Sequence, residues 1–353
     1  MVNFTILAGG YDVFIASYLF NSDASILALT GKYPSGANPS WITSHPTNRS
    51  ILYATNENTE GAVQSFTVTS EGVLSQAVDT IPTDGDSPAF AVALSTGQVA
   101  AMNYGSGNGR IIPTAAHTPL EFTNTASVIS FPVRSGGVSH PHMALEYGSE
   151  VLVPDLGGDA IWRLRENRTS GNWSITGSIA QPAGSGPRHI AVEGSLLFTL
   201  HELASTLTVQ RIPSLDTTTT AALLANVSII PPDPPVNVSF AAAELLIPKT
   251  SVKFPVQYIY ASNRNTGQTD ERGDAVAIFR YVSGKLELIT HVYTGLDQVR
   301  GMEFGGEDSE FLVASGVAGT GGVVVFRRVD EGRGLKEVAR NLDVPTRTTF
   351  VWL

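Results

Sequence analysis

One phrase recurs seven times along this chain, and it limits what the chain can fold into more than any other feature. A strand rich in small residues runs into a polar or glycine-bearing turn, and a second strand follows that ends on an aromatic or aliphatic residue. The copies begin at Ile6 (ILAGGYDVFIASYLF), Leu52 (LYATNENTEGAVQSF), Val99 (VAAMNYGSGNGRII), Leu152 (LVPDLGGDAIWRL), Phe198 (FTLHELASTLTVQRI), Ile259 (IYASNRNTGQTDERGDAVAIF) and Leu312 (LVASGVAGTGGVVVF). With Ala8, Ala54, Ala101, Val153, Thr199, Ala261 and Ala314 as equivalents, the steps are 46, 47, 52, 46, 62 and 53 residues. About fifty residues hold four strands of about 5–6 residues with their connections. One four-stranded unit cannot bury both of its faces, whereas a ring of seven buries each unit against its neighbours. The expected fold is all-β: a seven-bladed β-propeller with four antiparallel strands per blade, a single domain over residues 1–353. The WD dipeptide of one large propeller class is absent. The 62-residue step, with the Thr217–Thr220 run and the IIPPDPPVN stretch from Ile229, reads as an extended loop. NFTILAGG and TTFVWL, at the two ends, are strand-like and are expected to pair within one blade.

Composition agrees. Charged residues make up 15% of the chain and hydrophobic ones 42%, with 34 Gly, so helical solvent faces rich in Lys and Glu are disfavoured and disorder is excluded. The net charge of −10 repels polyanions, so nucleic acid is not an expected partner and any anionic ligand must be small and held by a local basic cluster. The absence of cysteine removes disulfides, thiolate metal sites and cysteine nucleophiles. No apolar run is long enough for a membrane-spanning helix, and the first basic residue is Lys32, so the N-terminal segment reads as a strand rather than a signal peptide. Cytoplasmic placement is the expectation. Sequons at Asn3, Asn48, Asn167, Asn172, Asn226 and Asn237 keep secretion as its alternative.

Loops at the mouth of a propeller channel form a natural concave site, so polar residues flanking the repeated phrase are the candidates. His140 and His142, in SHPHMALEY, are two apart and on a strand would point to one side. A metal would need a third ligand, and no Asp or Glu stands at a telling spacing, so no metal and no cofactor are expected. Arg188 and His189 in GPRHIAV come 48 and 49 residues after His140, Glu202 follows with His201 before it, and Arg264 lies in YASNRN. A buried guanidinium needs a partner, either a structural carboxylate such as Glu202 or an anionic substrate bound bidentately. No GxSxG elbow occurs, and GSGNG from Gly105 lacks the helix and lysine of a phosphate loop, leaving a hairpin turn. Trp41, Trp162, Trp173 and Trp352 read as packing between blades, with a channel-facing start of a blade as the other reading for Trp41.

Through four blocks in order the chain resembles the seven-bladed lactonase family, which includes bacterial-type 6-phosphogluconolactonases and fungal carboxy-cis,cis-muconate lactonising enzymes. The blocks are NPSWITSHPTNRSILYATNE, SHPHMALEYGSEVLVPDLGGDAIWRL, GPRHIAV followed by HEL, and YIYASNRN leading to DAVAIFRY. The resemblance spans essentially the whole chain and implies a site of one histidine, two arginines and a glutamate, matching His140, Arg188, Arg264 and Glu202. The HPH and GPRH blocks are more similar to the lactone-hydrolysing branch, although no lysine cluster accompanies the arginines. The resemblance implies hydrolysis of an aldonolactone such as gluconolactone or its 6-phosphate. For that reaction His140 is the expected general base, Arg188 with Arg264 is expected to stabilise the oxyanion or to grip a carboxylate or phosphate, and Glu202 to orient the histidine or fix an arginine. His142 and His189 are expected to contact substrate and to be able to replace His140. Cyclisation of a carboxymuconate and a non-catalytic scaffold are the alternatives, and a monomer is the default for a closed ring.

Overall fold

The computed structural model describes residues 2–133, 137–214 and 221–353. Among them the chain forms seven four-stranded antiparallel sheets arranged as the blades of a propeller. The only helical segments among them are two 3-10 turns, Glu307–Ser309 and Asp330–Gly332. The innermost strands are, in order of blade, Thr349–Trp352, Ile42–Ser44, Pro88–Ala93, Leu145–Tyr147, Pro187–Glu193, Phe240–Leu246 and Asp297–Gly305. The second strands are Asn3–Gly9, Ile51–Asn56, Val99–Asn103, Glu150–Asp155, Leu196–His201, Ile259–Asn265 and Phe311–Ala318.

The repeated phrase is the second and third strand of each blade. Its second strand is covered on both faces by adjacent blades, so it is buried without alternation: every residue of Ile51–Asn56, Val99–Asn103 and Glu150–Asp155 is buried. Small and β-branched residues suit that double burial. The outermost strands Ile26–Pro34 and Trp173–Ala180 largely alternate instead, since only one face is covered. Core clusters form between blades rather than within them. Phe90, Met102 and Ile111 of the third blade pack on Val153, Trp162 and Leu164 of the fourth.

The two ends of the ring meet in the first blade. Thr349–Trp352 pairs with Asn3–Gly9 in the register Ile6 with Trp352 and Gly9 with Thr349. Ile6, Tyr18 and Phe20 then pack against Phe311, Val313 and Val325 of the seventh blade across the seam. The expected pairing of NFTILAGG with TTFVWL is therefore present. Within the long step, Ile229–Ser239 is an irregular connection from the fifth blade to the sixth, and Thr217–Thr220 lies outside the described residues. The GSGNG stretch runs from the turn after Val99–Asn103 into the start of the strand Asn108–Ile112. One element has no counterpart in the repeat: the hairpin Thr114–Ala115 and Thr118–Phe122 folds back over the second blade, where the Tyr53 hydroxyl donates to the Pro119 carbonyl at 2.6 Å.

Several innermost strands share a defect that matters for function. Pairing with the second strand slips between Pro88 and Phe90, between Pro187 and His189, and between Val299 and Gly301. The extra residues are Ala89, Arg188 and Arg300. A β-bulge of this kind re-aims one side chain while the ladder continues on either side.

Candidate active site

At the mouth where the innermost strands begin lies a cavity of about 200 Å³. Two sets of residues build it. The bulged residues Ala89, Arg188 and Arg300 come from the innermost strands. Residues at or just past the ends of second strands complete it: Tyr11, Glu57, Tyr104, Glu202 and Arg264. Topology places both sets at one end of the barrel axis.

The guanidinium of Arg188 is nearly inaccessible, at 2% side-chain exposure. Its Nε lies 2.8 Å from Glu202 Oε2, and the same oxygen is 2.9 Å from Arg264 Nη2. One carboxylate oxygen thus holds two cations side by side, while Arg188 Nη1 donates to the Ala243 carbonyl. Burial, with Arg264 alongside, lowers Arg188 to about 10, which leaves it charged at neutral pH. Opposite, the Tyr11 hydroxyl donates to both Glu57 oxygens at 3.0 Å, Arg300 Nη2 is 3.5 Å from Glu57 Oε2, and Arg300 Nη1 contacts the Tyr11 oxygen. Burial raises Glu57 to about 7, against the opposing pull of Ser40 and Arg188. Three guanidiniums face two carboxylates, so the pocket favours an anion.

The two candidate histidines part company here. Both imidazoles meet the Tyr104 ring, His140 stacked at 4.4 Å between centroids and His142 edge-on at 5.8 Å. Only His142 borders the cavity. His140 Nδ1 is bound 2.7 Å from the Tyr104 carbonyl, and its backbone N–H donates to Asp155 Oδ1 at 2.7 Å. The Gly157 turn lies against it so closely that a Cβ there would sit 2.9 Å from the His140 ring and 1.6 Å from the Val138 carbonyl oxygen. The segment is also not the strand expected of it. Regular pairing begins only at Leu145, and Pro141 makes an isolated bridge to Asp155. His142 is 4% exposed and its Nδ1 has no hydrogen-bond partner. Burial, then the charge of Arg188, holds it well below the ordinary imidazole range, so it stays neutral and able to accept a proton.

Of the expected residues, Arg188, Glu202, Arg264 and His142 therefore come together. His140 stands beside the site. His189 turns to the opposite end of the axis, its Nδ1 2.6 Å from Glu244 Oε1, and His201 is buried against the Thr208 hydroxyl at 2.8 Å. Tyr11, Glu57, Tyr104 and Arg300 were not foreseen; aligning the repeats by strand register would have found Arg300, which occupies the bulge that Arg188 occupies two blades earlier. Among the described residues no group of three or more His, Cys, Asp or Glu side chains is arranged to hold a metal ion.

A closed seven-bladed ring with an Arg–Glu–Arg cluster at one mouth defines the class as a seven-bladed β-propeller with a cationic opening on its axis. The comparisons with known proteins are consistent with that class. The family model described as lactonase, 7-bladed beta-propeller, matches residues 5–352, and the chain belongs to that family. Solved structures share the fold at low identity. A Bacteroides fragilis protein assigned as a candidate 6-phosphogluconolactonase is 20% identical, with TM-score 0.81 over 99% of this chain and 98% of its own. The periplasmic gluconolactonase of Pseudomonas aeruginosa is 19% identical, with TM-score 0.81 over 100% and 99%. A Lactobacillus plantarum protein is 22% identical, with TM-score 0.81 over the full length of both chains. A search of curated protein sequences gave no match.

Proposed function

We propose that the protein hydrolyses a small sugar lactone, an aldonolactone of the gluconolactone type, at the arginine-lined mouth. The observation that carries this reading is the pair of guanidiniums on one Glu202 oxygen with a neutral His142 bordering the same cavity. Water must add to the ring carbonyl, and negative charge then grows on the carbonyl oxygen. Arg188, held in place by Glu202 and the Ala243 carbonyl, meets that charge without having to reorganise. His142 takes the proton of the attacking water as the new C–O bond forms. The tetrahedral adduct collapses, the ring C–O bond breaks, and the ring oxygen takes the proton that His142 holds and leaves as a hydroxyl, which returns His142 to its neutral form. The product is an aldonate, whose carboxylate suits the surplus of cations. Cyclisation of a carboxymuconate is a second reading, because the same cations suit a polycarboxylate. A histidine held neutral is better placed to accept a proton than to deliver one to carbon, and that favours hydrolysis.

The test mixes the purified protein with glucono-δ-lactone, its 6-phosphate and carboxymuconate, following acid release and ultraviolet absorbance. Faster acid release from a sugar lactone supports the hydrolase, and loss of muconate absorbance alone moves the protein to the cyclase. EDTA is expected to leave the hydrolytic rate unchanged; a rate abolished by EDTA and restored by a divalent ion would assign the water activation to a metal instead.

Two pH dependences follow. Because the His142 pKa is depressed, kcat/KM for the unphosphorylated lactone should hold its plateau down through the ordinary imidazole range and fall only at more acid pH, as His142 gains a proton. An acid limb centred at or above about pH 6.5 would rule out His142 as the base. Glu57 works in the other direction. As pH rises through about 7 it becomes charged, the pocket loses net positive charge, and KM for the phosphorylated lactone should climb about five-fold. In Glu57→Gln that rise should vanish, and a KM curve unchanged by the substitution would show that Glu57 does not face the substrate.

A further inference from the structure

The axis has a second opening. At the end where the innermost strands finish lies a cavity of about 700 Å³, well within the size range of small-molecule sites. The two histidines divide the ends: His142 borders the arginine pocket and His189 borders the wide cavity, with 5.2 Å between their ring centroids. The walls are apolar and aromatic. Trp41 packs at a tilt on Phe90, 4.4 Å between ring centroids, and meets His189 edge-on, and Phe304, Trp352, Met143 and Met302 also line the space.

Among the polar groups of these walls are two carboxylates, Glu244 and Glu303, and the His189 imidazole. Glu244 Oε1 is engaged by His189 Nδ1 at 2.6 Å and the Leu245 N–H at 3.1 Å. With Nδ1 donating there, His189 Nε2 is a lone-pair acceptor; the residue is 1% exposed and that nitrogen has no partner. Glu303 lines the same cavity, and the hydrogen bond recorded for its carboxylate is from the N–H of Phe304 at 3.1 Å. No ion pair holds it among the described residues. Ser44 Oγ, also at the wall, has no partner. Burial, then the neighbouring Glu244, pushes Glu303 up to about 8, the cost of a carboxylate lacking a cation. Arg49 is the only lysine or arginine lining the cavity among the described residues, and it lies exposed on the rim connection after Ile42–Ser44.

We propose that this second mouth is a binding site for a primary ammonium group carried on an apolar body. The ammonium is held by Glu303 and the free His189 nitrogen, and the body rests against Trp41, Phe90 and Phe304. The N–H donors of an ammonium answer the unpaired Glu303 carboxylate and the unpartnered His189 nitrogen, and the aromatic faces attract the cation. The site lies at the opposite end of the axis from the arginines and does not depend on the lactonase reading.

The experiment is a calorimetric titration of the whole protein at about pH 8.5, where Glu303 is largely ionised and an alkylammonium is still protonated. The probe is phenethylamine, beside phenylethanol, N,N,N-trimethylphenethylammonium and 3-phenylpropionate. Phenethylamine should bind about ten-fold or more tighter than the alcohol, the trimethylated cation should fall between, and the carboxylate should not bind. Labelled methionine methyl groups report the place: of the four methionines, Met143 and Met302 should shift on titration and Met102 should not. Glu303→Gln should erase the advantage of amine over alcohol while gluconolactone hydrolysis stays within about two-fold of the parent. Equal affinity for amine and alcohol, no binding, or shifts confined to Met102 would each overturn the proposal in the unaltered protein, even if the variant failed to fold.

Discussion

Arg188→Ala should lower kcat/KM for lactone hydrolysis by about 10²–10³, most of it in kcat, while the protein stays folded by circular dichroism. Arg188 is the pocket cation most enclosed by protein, at 2% side-chain exposure against 15% for Arg264 and 11% for Arg300. The variant leaves Glu202 paired with Arg264 alone, so the remaining charge is still compensated and the fold has little to lose. Arg188→Lys should not restore the rate. A lysine supplies a single charged point, whereas Arg188 pairs with Glu202 through Nε, donates to the Ala243 carbonyl through Nη1 and keeps a further nitrogen for the substrate. A variant that alters KM alone would place Arg188 in ground-state binding. A variant indistinguishable from the parent would remove the arginine cluster from the reaction and reopen the scaffold reading.

Asp155→Ala should be the most damaging single change to stability near the site, about 3–5 kcal/mol in a urea melt. Asp155 is fully buried and accepts four hydrogen bonds. One oxygen takes the Ser139 hydroxyl and the Trp162 indole N–H, each at 2.8 Å; the other takes the backbone N–H groups of His140 at 2.7 Å and Gly158 at 2.9 Å. Alanine strands four donors in a dry interior. Asp155→Asn should be nearly as harmful, because an amide must turn its own N–H toward donors on one side. Because Asp155 ties the lead-in to His140 and His142 onto the fourth blade, the activity of the surviving folded protein should drop as well. A loss below about 1 kcal/mol would mean that water or a rotated side chain satisfies those donors.

The ring was legible because each blade's middle hairpin is buried on both sides and so repeats small, apolar residues at a near-constant step. The hairpin Thr114–Phe122 was not, since it packs on the perimeter of the second blade, carries no doubly buried strand and occurs once. Arg188, Glu202 and Arg264 could be singled out because charge stands out beside such apolar strands. Arg300 occupies the same kind of bulge as Arg188, yet DQVRGMEF lacks the proline and histidine that drew attention to GPRH. Glu57 and Tyr11 lie one and two residues past their second strands, positions that the phrase treats as turn and that only the three-dimensional register reveals as pocket. The choice between His140 and His142 was beyond a spacing rule. It depends on Tyr104 and Asp155, partners 36 and 15 residues from His140, whose bonds fix His140 and leave His142 facing the arginines.

The seam gives the pocket a property in time as well as in space. Tyr11 belongs to the first blade and Arg300 to the last, and their contact joins residues 289 apart in sequence across the place where the ring shuts. The strand Thr349–Trp352, which completes the first blade, leaves the ribosome after every other strand of this chain. Such distant pairing is slow to form. Until it does, Tyr11, Glu57 and Arg300 cannot assemble beside Arg188, and a half-made ring presents no complete cationic mouth to a substrate. On the proposed function, lactone turnover should appear only once the ring has closed, and so would report that closure.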